Sequence, residues 1–262
     1  VLQDIGNVRV IGERFKVFKL QTFQGTFDVS IPRRDSKRES GHKGYVVEGE
    51  PSMTLREAAK RRDFTCNAVY YDPLTQEVLD PFEGEQDLRN HILRIVDKDH
   101  FAEDSLRVLR AAQFCARFGL SIESSSAVLM EGIPLNDLSS ERVFEEFYKG
   151  LMQSSRVGDF LKTLHNLKVT QKLFPMLEDL YETQQEPEYH PEGNVGLHTE
   201  MVLNTCSGRI HSSELSDPEK FGVLLGCLCH DLGKPKTTEI VDGKIRAHGH
   251  DIAGIEPTTR LL

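Results

Sequence analysis

The 262 residues carry 32 Lys and Arg against 41 Asp and Glu, a formal charge of −9. Apolar residues make up 38% and charged residues 28%, which suits a soluble globular chain and excludes a disordered, collagen-like or disulfide-scaffold protein. No run approaches the roughly 20 apolar residues of a membrane span, and the five cysteines are odd in number with no CxxC pair, so a reduced, cytoplasmic protein of about two domains is expected. The chain opens on Val1 with no signal-peptide core behind it, and is expected to be part of something longer.

Charge is uneven. Residues 1–62 hold 13 Lys/Arg and 8 Asp/Glu, a net of +5, and residues 63–262 hold the other 19 and 33, a net of −14. A basic N-terminal third can meet a polyanion even in an acidic protein, although a mixed solvated surface has the same composition.

Over residues 1–50 the stretches VRVIGERFKVFKL and GTFDVSI alternate apolar with polar residues and are rich in β-branched and aromatic side chains, which predicts short strands ended by Pro32. RRDSKRESGHKG reads as a basic loop containing Arg33, Arg34, Lys37 and Arg38. Ser52 is a candidate N-cap for a short helix with Leu55, Ala58 and Ala59 on one face. NAVYYD predicts a strand, DPLTQ a turn, and VLDPFEGEQDLRNHILRIV a Pro/Gly turn and short helix.

From about residue 100 the period is helical. EDSLRVLRAAQFCARFG puts Leu106, Leu109, Ala112 and Ala116 on one stripe, with Gly119 as the stop. SSERVFEEFYKGLMQ and VGDFLKTLHNLKVTQKLF predict two further amphipathic helices. DLYETQQEPEYHPEGNVG is polar and rich in Pro and Gly, the composition of a linker or exposed loop. Beyond it LHTEMVLNTC predicts a helix turning Met201, Val202 and Thr205 inward. SDPEKFGVLLGCLCHDLGK predicts another, with Asp217 as cap, Pro218 at the first position and Gly233 as stop.

Three constellations could carry chemistry. In RRDFTCNA, two arginines beside Asp63 and Asn67 could clamp phosphates and meet ribose hydroxyls, or form an ordinary surface ion-pair cluster. In EDSLRVLR, Asp104 and Arg107 are three apart and would share a helical face, offering an acceptor and a donor to the edge of a base, or simply an intrahelical salt bridge. His198 is followed 32 residues later by His230-Asp231, then by His248 and His250, which fits a metal shell or a hydrogen-bonded core pair. Zinc at Cys227, Cys229 and His230 is disfavoured by the spacing; buried cysteines on an apolar helix are the simpler account.

In order, RRDFTCNAVYYDP, DPFEGEQDL, EDSLRVLRAAQFCARFGL and LSSERVFEEF resemble the bacterial class II tRNA nucleotidyltransferases, the CCA-adding enzymes and their poly(A) polymerase relatives. The trailing HT, CHDLGKP and HGHDIAG segments resemble the HD domain many CCA-adding enzymes carry. The resemblance implies an α+β fold: a nucleotidyltransferase head over 1–97, a helical neck and body over 98–182 that binds nucleotide and tRNA, and an all-α HD domain over 190–262.

The resemblance implies that Arg62, Asp63 and Asn67 meet the sugar and phosphates of the incoming nucleotide, and that Asp104 and Arg107, with Glu103 orienting Arg107 and with Arg110 beside them, read the base of CTP or ATP. Asp28 would be the third carboxylate of the palm strand, Arg33 the arginine after it, and Glu141 and Arg142 a helix-bracing pair. Arg33, Arg34, Lys37 and Arg38 would meet tRNA, while His198, His230, Asp231 and His250 would hold a divalent transition metal. The Asp-x-Asp pair that holds Mg²⁺ in the family has no match before Asp28, and the last HD-domain Asp has none before Leu262. These 262 residues alone are therefore expected not to add nucleotides. The expected activity is addition of C, C and A to tRNA 3′ ends; poly(A) synthesis, an HD phosphohydrolase alone and a non-catalytic tRNA-binding fragment are the alternatives.

Overall fold

The computed structural model describes residues 2–11, 17–37, 45–210 and 212–261, with the backbone alone at Leu2 and over 33–37 and 45–48. The chain is α+β: short antiparallel strand units come first and helices dominate after residue 84. Strands Asn7–Ile11, Val17–Thr22 and Gly25–Ser30 form one antiparallel sheet in sequence order, with Leu20 opposite both Val8 and Phe27. Only Leu20 among its side chains is fully buried, while Val10, Phe23 and Phe27 are exposed.

The segment read as a basic loop contains a hairpin. Arg33–Lys37 pairs antiparallel with Tyr45–Gly49, Arg34 opposite Glu48 and Lys37 opposite Tyr45. Four charged residues in five hid the strand, because edge strands tolerate charge on both faces. Arg38 lies outside the described residues.

Helix Leu55–Ala59 is capped by Thr54, not Ser52. Thr54 Oγ1 accepts from Glu57 N while Glu57 Oε2 accepts from Thr54 N at 2.9 Å, a reciprocal capping box. The predicted YYD strand, Tyr70–Asp72, pairs with Glu77–Leu79 across the DPLTQ turn, where Asp72 Oδ1 accepts from Leu74 N at 2.8 Å.

Helix Leu106–Phe118 is the hub. The expected stripe of Leu106, Leu109, Ala112 and Ala116 is buried, and so are Val108, Ala111, Phe114 and Cys115 beside it. Gly119 ends it at φ 64, the left-handed conformation that favours glycine. Phe64 packs between Phe101 and Phe114, at ring-centre distances of 5.7 and 5.4 Å. Helices Ser140–Met152 and Val157–Asn166 cover the hub, joined by the edge-to-face pair of Phe147 and Phe160.

One hydrophobic core runs from Phe64 to Leu232, across both expected domain boundaries. At Gly158 a Cβ would come within 2.1 Å of the Glu200 carbonyl, so glycine is what lets helix Val157–Asn166 lie against helix Val195–Ile210. No helix among the described residues is long and apolar enough to cross a membrane.

Glu123 shows how local hydrogen bonds tie stability to pH. Its carboxylate accepts from Ser126 N at 2.8 Å at the start of helix Ser124–Gly132. Burial opposes the charge, but hydrogen bonds from Ser125 and Ser126 outweigh it and hold the carboxyl at about 2. A depressed pKa stabilises the fold above the unfolded value and is lost as pH falls toward 2. Glu123→Ala is expected to cost about 0.5–2 kcal/mol by denaturant titration at neutral pH, with the difference from wild type shrinking in acid.

Candidate nucleotide and metal sites

Segment 61–67 and the start of the hub helix, some forty residues apart in sequence, are bonded to each other. Arg107 donates from Nη2 to the Arg61 carbonyl at 2.8 Å and from Nη1 to the His100 carbonyl. Arg110 Nε donates to Asp63 Oδ2 at 2.7 Å. Asp63 Oδ1 accepts from Asn67 Nδ2 at 3.0 Å and from the Phe64 backbone at 2.9 Å. Asp63 is thus buried with both oxygens taken by protein donors. Its contacts join the two segments and Asn67 comes to it, whereas Arg62 points to Tyr70, with its guanidinium carbon 5.7 Å from the ring centre.

The shared helical face expected for Asp104 and Arg107 is corrected by the backbone. The helix begins at Leu106 with Ser105 as N-cap, so Asp104 precedes it. Arg107 N reaches the Asp104 carbonyl at 3.1 Å, and the Asp104 carboxylate turns to Arg142, whose Nη2 sits 3.0 and 2.9 Å from its two oxygens. A partner 38 residues away outcompetes the near arginine because Arg107 is committed to two backbone carbonyls. Arg142 comes from the segment read as helix-bracing. Glu103 N also bonds the His100 carbonyl that Arg107 uses.

Sequence reasoning missed the buried carboxylate behind Arg110. Glu146 Oε1 lies 3.8 Å from Arg110 Nη1 and 2.8 Å from Lys149 Nζ, while its Oε2 finds no partner among the described residues. An acidic pair at 145–146 on an amphipathic helix with one member on the buried face was the available signal. Asp28 takes no part in these contacts; it is exposed on its strand opposite Lys19.

The histidines converge. Ligand atoms of His198, His230 and Asp231 all lie within 4.8 Å of one another, and the His198 and His230 ring centres are 5.5 Å apart. Helix Asp217–Cys229, capped by Ser216 rather than Asp217, ends at His230 as its C-cap. Gly233 does not stop that helix but starts the next short one, Lys234–Thr237. The expected inward stripe on helix Val195–Ile210 is corrected: Met201 is exposed, and Thr199, Leu203, Ser207 and Ile210 face the core. Met201, Val202 and Thr205 line a cavity of about 680 Å³ beside His190 and His198.

His230 Nδ1 bonds the Cys227 carbonyl and His250 Nδ1 the Ala247 carbonyl, each at 2.8 Å. A carbonyl only accepts, so both rings carry Nδ1–H and turn Nε2 to Asp231, at 3.1 Å for His230 and 3.6 Å for His250. An imidazole lone pair facing a carboxylate needs positive charge between them, supplied by a second proton or a metal ion. Hydrogen bonding to Asp231 accordingly raises the His230 pKa against the opposing effect of burial. Asp231 is buried. Desolvation alone would raise its pKa, but His230 and Lys234, the latter 2.8 Å away, hold it at about 2. A donor set of imidazoles and one carboxylate fits a borderline divalent ion. His248 is exposed outside this group.

Two residues here were not anticipated. The stretch read as a linker is a fastened loop: Gln185 N bonds the Gly193 carbonyl at 3.1 Å and Val195 N the Thr183 carbonyl at 2.9 Å. It brings Glu192 Oε1 to 2.7 Å from His198 Nδ1 and 3.0 Å from His190 Nδ1. The cysteines do not join: neither convergent group contains one. Burial pushes the thiol of Cys66 up to about 11 and those of Cys115 and Cys227 up to about 12.

Residues 2–94 match the family described as "Poly A polymerase head domain", and residues 123–181 match "Probable RNA and SrmB-binding site of polymerase A". The "Multifunctional CCA protein" of Stenotrophomonas maltophilia is 37% identical over 258 residues, spanning 96% of this chain and 60% of that protein. The chain belongs to the class II tRNA nucleotidyltransferase family. A second family relative, the "Multifunctional CCA protein" of Neisseria gonorrhoeae, is 37% identical over 255 residues, 96% of this chain and 58% of its own length. The chain thus spans about 60% of the length of these curated relatives. In fold the family likeness extends to the Bacillus stearothermophilus CCA-adding enzyme crystallised with CTP, at a TM-score of 0.66 and 20% identity, over 88% of this chain and 51% of that one.

Proposed function

We propose that the chain serves a tRNA nucleotidyltransferase that adds C, C and A to tRNA 3′ ends from CTP and ATP. The observation that carries this reading is the bonding of segment 61–67 to the hub helix through Arg107, Arg110 and Asp63, which makes one surface of two motifs. To this surface we assign Asp104 and Arg107 as acceptor and donor for the base and Arg62 and Asn67 as contacts to the sugar and phosphates, each exchanging the internal partner it holds without nucleotide, with Glu103, Arg110 and Arg142 beside them. Asp28 is the one carboxylate assigned to Mg²⁺. A single exposed carboxylate does not fit a two-ion Mg²⁺ site. Equilibrium binding of the four ribonucleoside triphosphates to the 262-residue chain tests the reading: CTP and ATP are expected to bind more tightly than UTP and GTP, and equal affinities would overturn it. Poly(A) synthesis, the alternative within the family, predicts ATP alone.

tRNA is the proposed partner, met through the basic N-terminal third and Arg33, Arg34, Lys37 and Arg38. Each phosphate contact releases counterions, so affinity is expected to fall steeply between low and physiological salt. A flat response in filter binding would refute the assignment.

A second reading rests on the histidine convergence. His198, His230 and Asp231 would hold one divalent transition ion, with His250 as a fourth contact. Bound there, such an ion supplies an activated water for phosphoester hydrolysis. The chain's own part is to present three Nε2 atoms around Asp231, with Lys234 beside it as a cation for the phosphate. Turnover of a chromogenic phosphodiester under a divalent-metal screen tests this. Activity surviving in His230→Ala would sink it.

A further inference from the structure

The three imidazoles around Asp231 are aimed by different means. His230 and His250 each donate Nδ1–H to a backbone carbonyl that the fold itself supplies. His198 sits in a helix whose carbonyls are committed, and its Nδ1 goes to a side chain, Glu192 Oε1, at 2.7 Å. Glu192 is 13% exposed and rides on the loop fastened at Gln185, Gly193 and Val195. A carboxylate oxygen beside an imidazole nitrogen at this distance takes the acceptor's part, which leaves the proton on His198 Nδ1.

We infer that Glu192 is a positioning residue of the metal site: by taking the Nδ1 proton of His198 it delivers the His198 Nε2 lone pair toward His230 and Asp231. A carboxylate behind a ligating imidazole fixes the tautomer, orients the ring and raises its basicity. The inference rests on the metal reading given above. The alternative geometry makes Glu192 itself a ligand, with His190 and His198, of a second ion, because those three also offer ligand atoms within 4.8 Å of one another.

Calorimetric titration of the 262-residue chain with Ni²⁺ or Co²⁺ alone separates these cases. Wild type is expected to bind one ion and His230→Ala none. Glu192→Ala is expected to bind one ion about 10–100-fold more weakly, with Glu192→Gln between, because the amide oxygen still accepts from Nδ1 without the charge. Ring-nitrogen NMR of the metal-free chain is expected to report His198 as the Nδ1–H tautomer in wild type and as a mixture in Glu192→Ala. Metal-free melting curves confirm that each variant folds. Unchanged affinity in a folded Glu192→Ala overturns the positioning role and leaves the metal reading standing. So does an Nε2–H tautomer of His198 in wild type, or a stoichiometry that drops from two ions to one. Failure of wild type to bind, or full binding by His230→Ala, removes the metal reading and the inference together.

Discussion

Asp104→Ala is expected to abolish most of the chain's preference for CTP and ATP over UTP and GTP. Cytosine and adenine both present an exocyclic amino group where uracil and guanine present an oxygen, so an acceptor at that position separates the pairs. Asp104 has the only carboxylate in the 104–107 edge, and losing it should cost about 1–3 kcal/mol of discrimination, roughly ten- to a hundredfold in relative affinity. Phosphate contacts would persist, so absolute affinity should fall less than selectivity. The Asp104–Arg142 pair is partly exposed and worth at most about 1 kcal/mol of stability, so a modest melting shift is compatible with a direct role. Arg142→Ala supplies the control: it removes the same ion pair but leaves the acceptor, and is expected to retain the ranking of the four nucleotides. Unchanged selectivity in Asp104→Ala, or equal loss in both variants, would contradict base reading by Asp104.

Asp231→Asn is expected to weaken divalent-ion binding more than Glu192→Ala does, because it removes a charged ligand rather than the partner behind one. Asparagine keeps the shape while avoiding the gap alanine would leave beside Lys234, whose side chain is 13% exposed and paired to Asp231. Removing the charge still leaves that lysine uncompensated, so a stability loss of up to about 3–5 kcal/mol accompanies the lost site. Because Asp231 raises the His230 pKa, the metal-free chain holds a proton on His230 to higher pH than an ordinary imidazole. An arriving ion must displace it, so affinity should rise with pH through the neutral range. Isothermal titration at a series of pH values checks both points; ion binding retained in Asp231→Asn, or affinity that is flat in pH, would contradict them.

The strongest sequence signals were those with a local cause. The stripe from Leu106 to Ala116, the glycine stop at 119 and the Asp72 turn depend on residues within a few positions, and all three appear as read. The histidine spacing was legible because the second pair ends an apolar helix. What stayed hidden depended on distant partners. Asp104, just before the helix, pairs with Arg142, Asp63 turns inward to Arg110, and neither choice can be read from spacing. Glu192 and His190 sit among Pro, Gly and Glu, which have the composition of a linker. The bonds between residues 183 and 195 that fasten this loop are backbone to backbone and leave no mark in side-chain type. The hairpin at 33–49 was obscured for a similar reason, because its pairing is carried by main-chain groups beneath a run of charges.

The central claim, that segment 61–67 and the start of the hub helix form one nucleotide site, is tested most directly by hydrogen exchange of the 262-residue chain with and without CTP. The bonds from Arg107 to Arg61 and from Arg110 to Asp63 predict that CTP slows exchange in peptides covering 61–67 and 104–110 together, with the same concentration dependence, and that UTP does so only at higher concentration. Protection confined to one of the two segments, or appearing instead around His198 and His230, would contradict the account.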